Sequence, residues 1–362
     1  MKVAIVCDWL IGGGAEKVAE QLHIMYPQAP IYTSYCTTEW RQRLDNKVVT
    51  GWLQHWPFSR LRKLIPFLRA WWFTRLDLSD FDLVISSSGA EAKFVKVKKP
   101  AIHISYIHAP THYYWSRYDE YLARPGFGVF DPLARLGLRL LVGSLRKLDF
   151  RAAQRPSYLI ANSNYTKLQI KKYYDRDSVV VHPPIEVEKF KSAKKQKRHG
   201  FLVTGRQTPY KRFDLAVAAC TRLGLKLIVA GKGPDHESLK RMAGPTVQFT
   251  GWVSDEERVK LFQSAEAFIF PPLDDFGISA VEALAAGTPV IAYKAGGALD
   301  YIQPHENGLF FEEQSVEGLV KTLTNFSASK FDAATISKSS DRFSSQNFQK
   351  NLKSLFKTLK LN

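Results

Sequence analysis

Two carboxylates, Asp274 and Glu282, bracket a glycine in the stretch Phe268 to Ile291, FIFPPLDDFGISAVEALAAGTPVI. Phe276, Gly277 and Ile278 lie between them and open an apolar run of helical period, so the free N–H groups of a helix mouth form an anion site there. Asp274 falls in the loop and Glu282 a turn or so into the helix. Carboxylates accept hydrogen bonds from sugar and ribose hydroxyls, and two of them beside an anion site suit a sugar-diphosphate-ribose ligand. Thr204 to Arg212 holds Arg206 and Lys211 on either side of Pro209. Two cations converging there suit a diphosphate, Arg through its planar fork and Lys as a compact charge, although an ordinary solvated loop accounts for them as well.

Four further loops precede the region between those cations and carboxylates or lie within it. Gly12, Gly13 and Gly14 follow the apolar run Val3 to Cys7 and open a helix expected over Ala15 to Met25. Glycine there lets the backbone approach an anion, and equally makes a tight strand-to-helix turn. The spacing is neither GxGxxG nor GxxxxGK[ST], which excludes the dinucleotide fingerprint and the nucleoside-triphosphate loop. His108 follows the run Ile102 to Ile107 and precedes Ala109-Pro110, a place from which imidazole donates to a substrate hydroxyl; it is favoured over His112 by standing nearer the strand. Asn162-Ser163 reads as a helix N-cap. Trp252 and Val253 follow another short run and are candidates to face a nucleotide base.

These loops need strands to hold them. Short β-branched runs alternate with helical segments: Val3–Cys7, Ile31–Tyr35, Leu83–Ser87, Ile102–Ile107, Tyr158–Ala161 and Val179–His182, then Phe201–Thr204, Leu225–Ala230, Val247–Thr250, Ala267–Phe270, Pro289–Tyr293 and Gly308–Phe311. Such alternation gives βαβ units and parallel sheets, and two series give two doubly wound, Rossmann-like α/β domains facing each other across a cleft. The boundaries expected are 1–184 for the first domain, with a basic surface, 185–199 for a connector carrying the polar run Lys191 to His199, 200–342 for the second domain, and 343–362 for a C-terminal helix that either stays with the second domain or crosses back to the first.

The chain has 362 residues with 51 Lys and Arg against 34 Asp and Glu, a formal charge of +17. Residues 1–190 hold 27 cations and 17 anions, the next nine residues add five cations, and the rest is nearly balanced. Such a field attracts anionic lipid, nucleic acid or phosphorylated substrates. No recognition-helix, RNP or zinc-finger pattern accompanies it, so nucleic acid is not an expected partner. Trp52 to Arg75 mixes cations with Trp, Phe and Leu, contains no acid, and is broken by Pro57 and Pro66; Arg135 to Arg155 carries six cations and only Asp149. Both suit contact with an anionic membrane surface, and both also suit ordinary amphipathic helices. Three widely spaced cysteines fit neither a disulfide framework nor a zinc site, and no apolar run is long enough to span a bilayer, so the expected location is cytoplasmic, peripheral at the inner face of the cell membrane.

Together these motifs resemble the retaining nucleotide-sugar glycosyltransferases of family 4, the group 1 type, with the two-domain GT-B fold. Gly12 to Glu16 is similar to that family's glycine loop, Tyr106 to Pro110 to its Y-x-H-x-P segment, Ala161 to Ser163 to its polar loop, and Asp274-x7-Glu282 to its E-x7-E block, with Asp in place of the first Glu. The resemblance implies that Arg206 and Lys211 neutralise the leaving nucleoside diphosphate in place of a metal ion, with no cofactor. Gly13, Gly14 and the backbone at Phe276 to Ile278 bind phosphate or sugar, Glu282 holds the ribose, Asp274 the donor sugar and His108 its hydroxyls. The implied reaction moves a hexose, mannose from GDP-mannose in the first instance, to a lipid-linked or glycan acceptor. A non-catalytic nucleotide-sugar binder and an epimerase or phosphorylase on the same fold are the alternatives.

Overall fold

Val, Ile and Leu fill the central strands on both sides, as a sheet covered by helices on both faces requires. The structure is a computed structural model that describes residues 1–62, 64–126, 128–191 and 198–360. They form two compact units, residues 1–183 with 349–362, and residues 184–348.

The sheet of the first unit contains β1 (Val3–Cys7), β2 (Ile31–Thr33), β3 (Val48–Thr50), β4 (Leu83–Ser88), β5 (Ile102–Ile107), β6 (Tyr158–Ala161) and β7 (Val179–Val180). Their order is β3-β2-β1-β4-β5-β6-β7, all parallel. The second sheet contains β8 (Phe201–Thr204), β9 (Leu227–Ala230), β10 (Val247–Gly251), β11 (Ala267–Phe270), β12 (Val290–Tyr293) and β13 (Gly308–Phe311), in the order β10-β9-β8-β11-β12-β13 and again all parallel. The doubly wound α/β class expected from the strand spacing is therefore the class observed. In each sheet the winding reverses once, between β1 and β4 and between β8 and β11. At such a reversal the following loops diverge to opposite faces and leave a crevice beyond the strand ends.

The structure adds detail to three segments. Pro57 and Pro66 do break Trp52 to Arg75 into the short helices Phe58–Leu61 and Pro66–Thr74, but Trp72 and Phe73 are buried in the core and Arg69 is buried against Glu91, donating to its two oxygens at 2.9 and 2.8 Å. Lys63 lies outside the described residues. Of the segment 185–199, Ile185, Val187 and Phe190 are buried in the second unit's core and Arg198 donates to the carbonyls of Ala265 and Ala286, each at 3.0 Å. Residues 192–197 are outside the described residues. The last helix runs from Ser345 to Thr358 with Leu352 and Phe356 buried, and Gln349 donates to Gln21 Oε1 at 2.7 Å; Leu361 and Asn362 are not described. Among the described residues no helix is long and apolar enough to cross a membrane.

Candidate active site

The second unit brings its predicted residues together at the reversal between β8 and β11. After β8 the chain turns through Gly205 and Arg206 and makes a single helical turn, Pro209–Lys211. This loop is pinned from below: Gln207 is fully buried, its amide donates to Gly231 O at 2.7 Å and its carbonyl oxygen meets His236 Nδ1 at 2.7 Å. Arg206 is exposed on the same loop. Lys211 reaches across to the loop after β11, where its ammonium forms an ion pair with the Asp274 carboxylate; both side chains are about one-fifth exposed. The cation and carboxylate expected from separate motifs are thus one polar group at the crevice.

Asp274 sits where it does because of two glycines that the motif reading passed over. Gly296 has a φ of +66°, and a Cβ there would meet the Asp274 carbonyl oxygen at 2.5 Å; Gly297 donates its N–H to that same oxygen at 2.9 Å. Gly277 caps the helix Ile278–Ala285 with a φ of +97°, open to glycine alone at low cost. A side chain there would run into the Tyr301 hydroxyl and the Phe270 ring. Phe276 is buried, its ring packed edge-on against Tyr301 and Phe343, so it offers backbone and not side chain to the crevice. Ile278 and Val253 are half-buried against the core, whereas Trp252 beside Val253 is three-quarters exposed at 76%.

Glu282, buried one turn into that helix, accepts from Arg258 Nη1 at 2.7 Å. Arg258 was not legible in sequence, since nothing distinguishes it from the other charges of its helix, Asp255–Ser264. Tyr301 was missed too: its hydroxyl is buried without a hydrogen-bond partner among the described residues, and burial, then the charges of Asp274 and Asp300, push its pKa well above the ordinary phenol range.

The first unit has its own crevice at the β1/β4 reversal, a pocket of about 130 Å³ lined by Asp8, Trp9, Glu16, Ser87, Gly89 and His108 among others. His108 is held on three sides. Its Nε2 shares a hydrogen bond with Ser87 Oγ at 2.7 Å, its ring tilts against Tyr106 and its carbonyl accepts from Asn162 Nδ2 at 2.8 Å. Ser163 caps its helix as expected, accepting from Thr166 N at 2.9 Å, so the polar loop both caps and positions. Gly13 is extended and Gly14 begins the helix Gly14–Met25, but the helix mouth already holds a carboxylate: Glu16 Oε1 accepts from Ile11 N at 3.2 Å. Burial raises the Glu16 carboxyl above its usual range. Asp8 accepts from the N–H groups of Gly89, Ala90 and Ala92 at 2.7, 2.9 and 2.6 Å and so fixes the turn after β4. Burial, then the neighbouring Glu91, push its carboxyl up to about 6 in spite of those donors.

Residues 184–350 match the family model described as glycosyl transferases group 1. An uncharacterized glycosyltransferase of Methanocaldococcus jannaschii is 32% identical over 119 residues, 30% of this chain and 30% of its own. A GDP-mannose-dependent alpha-mannosyltransferase of Mycobacterium tuberculosis is 36% identical over 111 residues, 30% of this chain and 29% of its own. From the same species, a GDP-mannose-dependent alpha-(1-6)-phosphatidylinositol monomannoside mannosyltransferase is 30% identical over 161 residues, 40% of this chain and 42% of its own. The matches span less than half the length of these curated relatives. Among solved structures, Anabaena HepE in complex with UDP superposes with a TM-score of 0.70 at 16% identity, covering 99% of this chain and 100% of that one. Sucrose-phosphate synthase from Thermosynechococcus elongatus gives 0.69 at 14% identity, covering 99% of each chain. These likenesses establish the GT-B fold of two parallel-sheet units. The unit that joins Lys211 to Asp274 and Arg258 to Glu282 is the part of the chain that matches the glycosyl transferases group 1 model.

Proposed function

We propose that this protein transfers a hexose, mannose from GDP-mannose, to a lipid-linked or glycan acceptor on the cytoplasmic side, with retention of anomeric configuration and without a metal ion. The observation that carries the reading is the Lys211–Asp274 pair at the β8/β11 reversal, with the Glu282–Arg258 pair on the helix that follows Asp274. The names of two mycobacterial relatives, both GDP-mannose-dependent mannosyltransferases, support GDP-mannose as donor.

In this reading the diphosphate lies against Arg206, Lys211 and the N–H groups at Gly277 and Ile278, cations and a helix mouth standing where a metal would. Lys211 exchanges part of its contact with Asp274 for phosphate, and Asp274 turns to the sugar hydroxyls. Glu282 accepts from the ribose, oriented by Arg258. The bond from the anomeric carbon to the diphosphate breaks, the acceptor oxygen bonds to that carbon on the same face, and the acceptor proton passes to the departing phosphate oxygen. Charge developing on the diphosphate is what the fixed cations stabilise. His108 and the turn at Gly13 and Gly14 handle sugar hydroxyls.

A thermal-shift series with GDP, UDP, ADP and dTDP and their mannose and glucose conjugates, in the presence of a chelator, tests the donor. A ligand at a hundred times its dissociation constant stabilises by about 2.7 kcal/mol, a shift of roughly 5 °C. A shift selective for GDP and GDP-mannose is expected. A shift selective for another base replaces the donor, dependence on added divalent metal removes the metal-free reading, and no shift at all removes the reaction.

A further inference from the structure

Ordinary amphipathic helices turn apolar residues inward and polar ones to water. The 23-residue helix Asp131–Ala153 does the reverse along half its length. Leu133, Leu136 and Leu140, at spacings of three and four, share one outward stripe and are 68%, 54% and 72% exposed, and the chain enters the helix through Val129 and Phe130, which are 88% and 66% exposed. The same stripe continues at Lys147 and Arg151, both exposed, so the outward face is apolar at its N-terminal end and cationic at its C-terminal end. Arg139 adds a third exposed cation on its flank.

This surface extends beyond one helix. The helix Pro66–Thr74 borders the same short turn, Ala92–Phe94, as the 131–153 helix, and presents Phe67, Leu68 and Trp71 outward with Arg75 over the Trp71 ring at 5.2 Å. More than half of the exposed large apolar side chains of the described residues fall in 56–71 and 129–150. Acids are nearly absent: Trp52 to Arg75 has none, and of the two in the long helix Asp149 is fully buried and Asp131 is half-buried at the N-terminus.

We infer that this face of the first unit docks on an anionic lipid bilayer, the N-terminal half of the 131–153 helix inserting Val129, Phe130 and the leucine stripe while Arg139, Lys147 and Arg151 meet headgroup phosphates. The charge decides the occupant. The stripe and its C-terminal continuation carry exposed cations and no carboxylate, the exposed acids nearest in the fold being Asp119 and Glu120 on the neighbouring helix Tyr118–Ala123; such a stripe is complementary to anionic headgroups, and leucine and phenylalanine rimmed by Lys and Arg suit the boundary between headgroups and acyl chains. The inference extends the acceptor reading to a surface, and its test measures lipid contact and not transfer, so either can fail alone.

The experiment is flotation of the full chain with vesicles of phosphatidylcholine, alone or mixed with phosphatidylglycerol. One variant carries Leu133→Ser, Leu136→Ser and Leu140→Ser, the other Arg139→Gln, Lys147→Gln and Arg151→Gln; all six side chains are exposed, and melting curves check that the fold is kept. The wild type is expected to float with the mixed vesicles. Loss of three leucines weakens binding to both vesicle types about tenfold or more, and loss of three cations weakens binding to the anionic vesicles about a hundredfold. No flotation of the wild type, or unchanged flotation of the leucine variant, overturns the proposal. If the wild type is a dimer in solution, the leucine variant a monomer and neither binds vesicles, the stripe is a subunit interface instead.

Discussion

Lys211 and Asp274 meet in an ion pair although 63 residues separate them, because β8 and β11 are neighbours in the sheet and each loop leaves its strand at the same end. Each holds the other's side chain in place before any ligand arrives. Anionic phosphate and hydroxylated sugar are what a cation and a carboxylate so placed can divide between them.

Replacing Lys211 by Ala leaves Asp274 without its cation and the diphosphate without a neutralising charge. Transfer should fall about 100- to 1,000-fold, the range for losing one charge-stabilising donor, with the melting temperature nearly unchanged because the pair is part-exposed. Initial rates and melting curves on the same preparation check this; an active variant removes Lys211 from the reaction.

Gly277→Ala puts a Cβ at positive φ against the Tyr301 hydroxyl and the Phe270 ring, and Gly296→Ala does the same against the Asp274 backbone. Each should cost about 1–3 kcal/mol of stability. Each should also abolish the nucleotide-induced thermal shift, because the helix mouth and Asp274 are displaced. Urea titration with and without GDP reads both.

Glu282→Gln keeps the shape of the side chain and discharges it, leaving Arg258 with a weaker acceptor. Since the predicted role is to hold the ribose in ground and transition states alike, KM for the donor should rise about tenfold while kcat stays within about twofold. A fall in kcat at unchanged KM would move Glu282 to the reacting centre.

Tyr301→Phe removes a buried hydroxyl that has no partner among the described residues. The unliganded protein should gain about 1 kcal/mol in stability. Denaturant melts of the two forms measure it.

Two buried groups bend the pH dependence in opposite directions. Burial, reinforced by Arg155, depresses His103 to about 3, so below pH 6.5 the unfolded chain takes up a proton that the folded one refuses, and stability present above 6.5 is lost as pH falls towards 3. Asp8, pushed up to about 6, stays protonated in the fold where the unfolded carboxyl has ionised, so between pH 6 and 3.8 it adds stability as pH falls. His103→Gln removes the first effect. The stability difference between variant and wild type should therefore shift by about 3 kcal/mol in the variant's favour from pH 7 to pH 4.5, read by urea titration at each pH.

The strands were legible wherever β-branched residues ran without a break: β1, β5, β6, β8, β11 and β13 begin and end where the residue types change. Val48–Thr50 was not, because a three-residue edge strand between Lys47 and Gly51 carries too little pattern. In the second unit Asp274, Glu282, Arg206 and Lys211 stood out by type and spacing, yet the cation that pairs with Glu282 and the phenol buried near Asp274 did not. Arg258 and Tyr301 come from helix and loop positions that any surface or core residue could occupy, and only the sheet order shows that they converge. The same holds for Asp8 and Ser87, whose roles lie in hydrogen bonds to loops about 80 and 20 residues away. Arg69 misled for a related reason: a cation among aromatic residues reads as a membrane-facing charge until its buried carboxylate partner is known.

Asp149 sits near the C-terminal end of the 131–153 helix and gathers Lys93 at 2.7 Å, Thr111 at 2.9 Å, and Trp115 and Tyr174 at 2.7 Å each around one buried carboxylate. Thr111 and Trp115 belong to the loop that begins three residues after His108. The carboxylate is thus a shared anchor. Pulling the helix away from that loop would break a buried ion pair, at a cost of about 3–5 kcal/mol, so the long helix and the loop beside His108 are tied to one another through a single side chain.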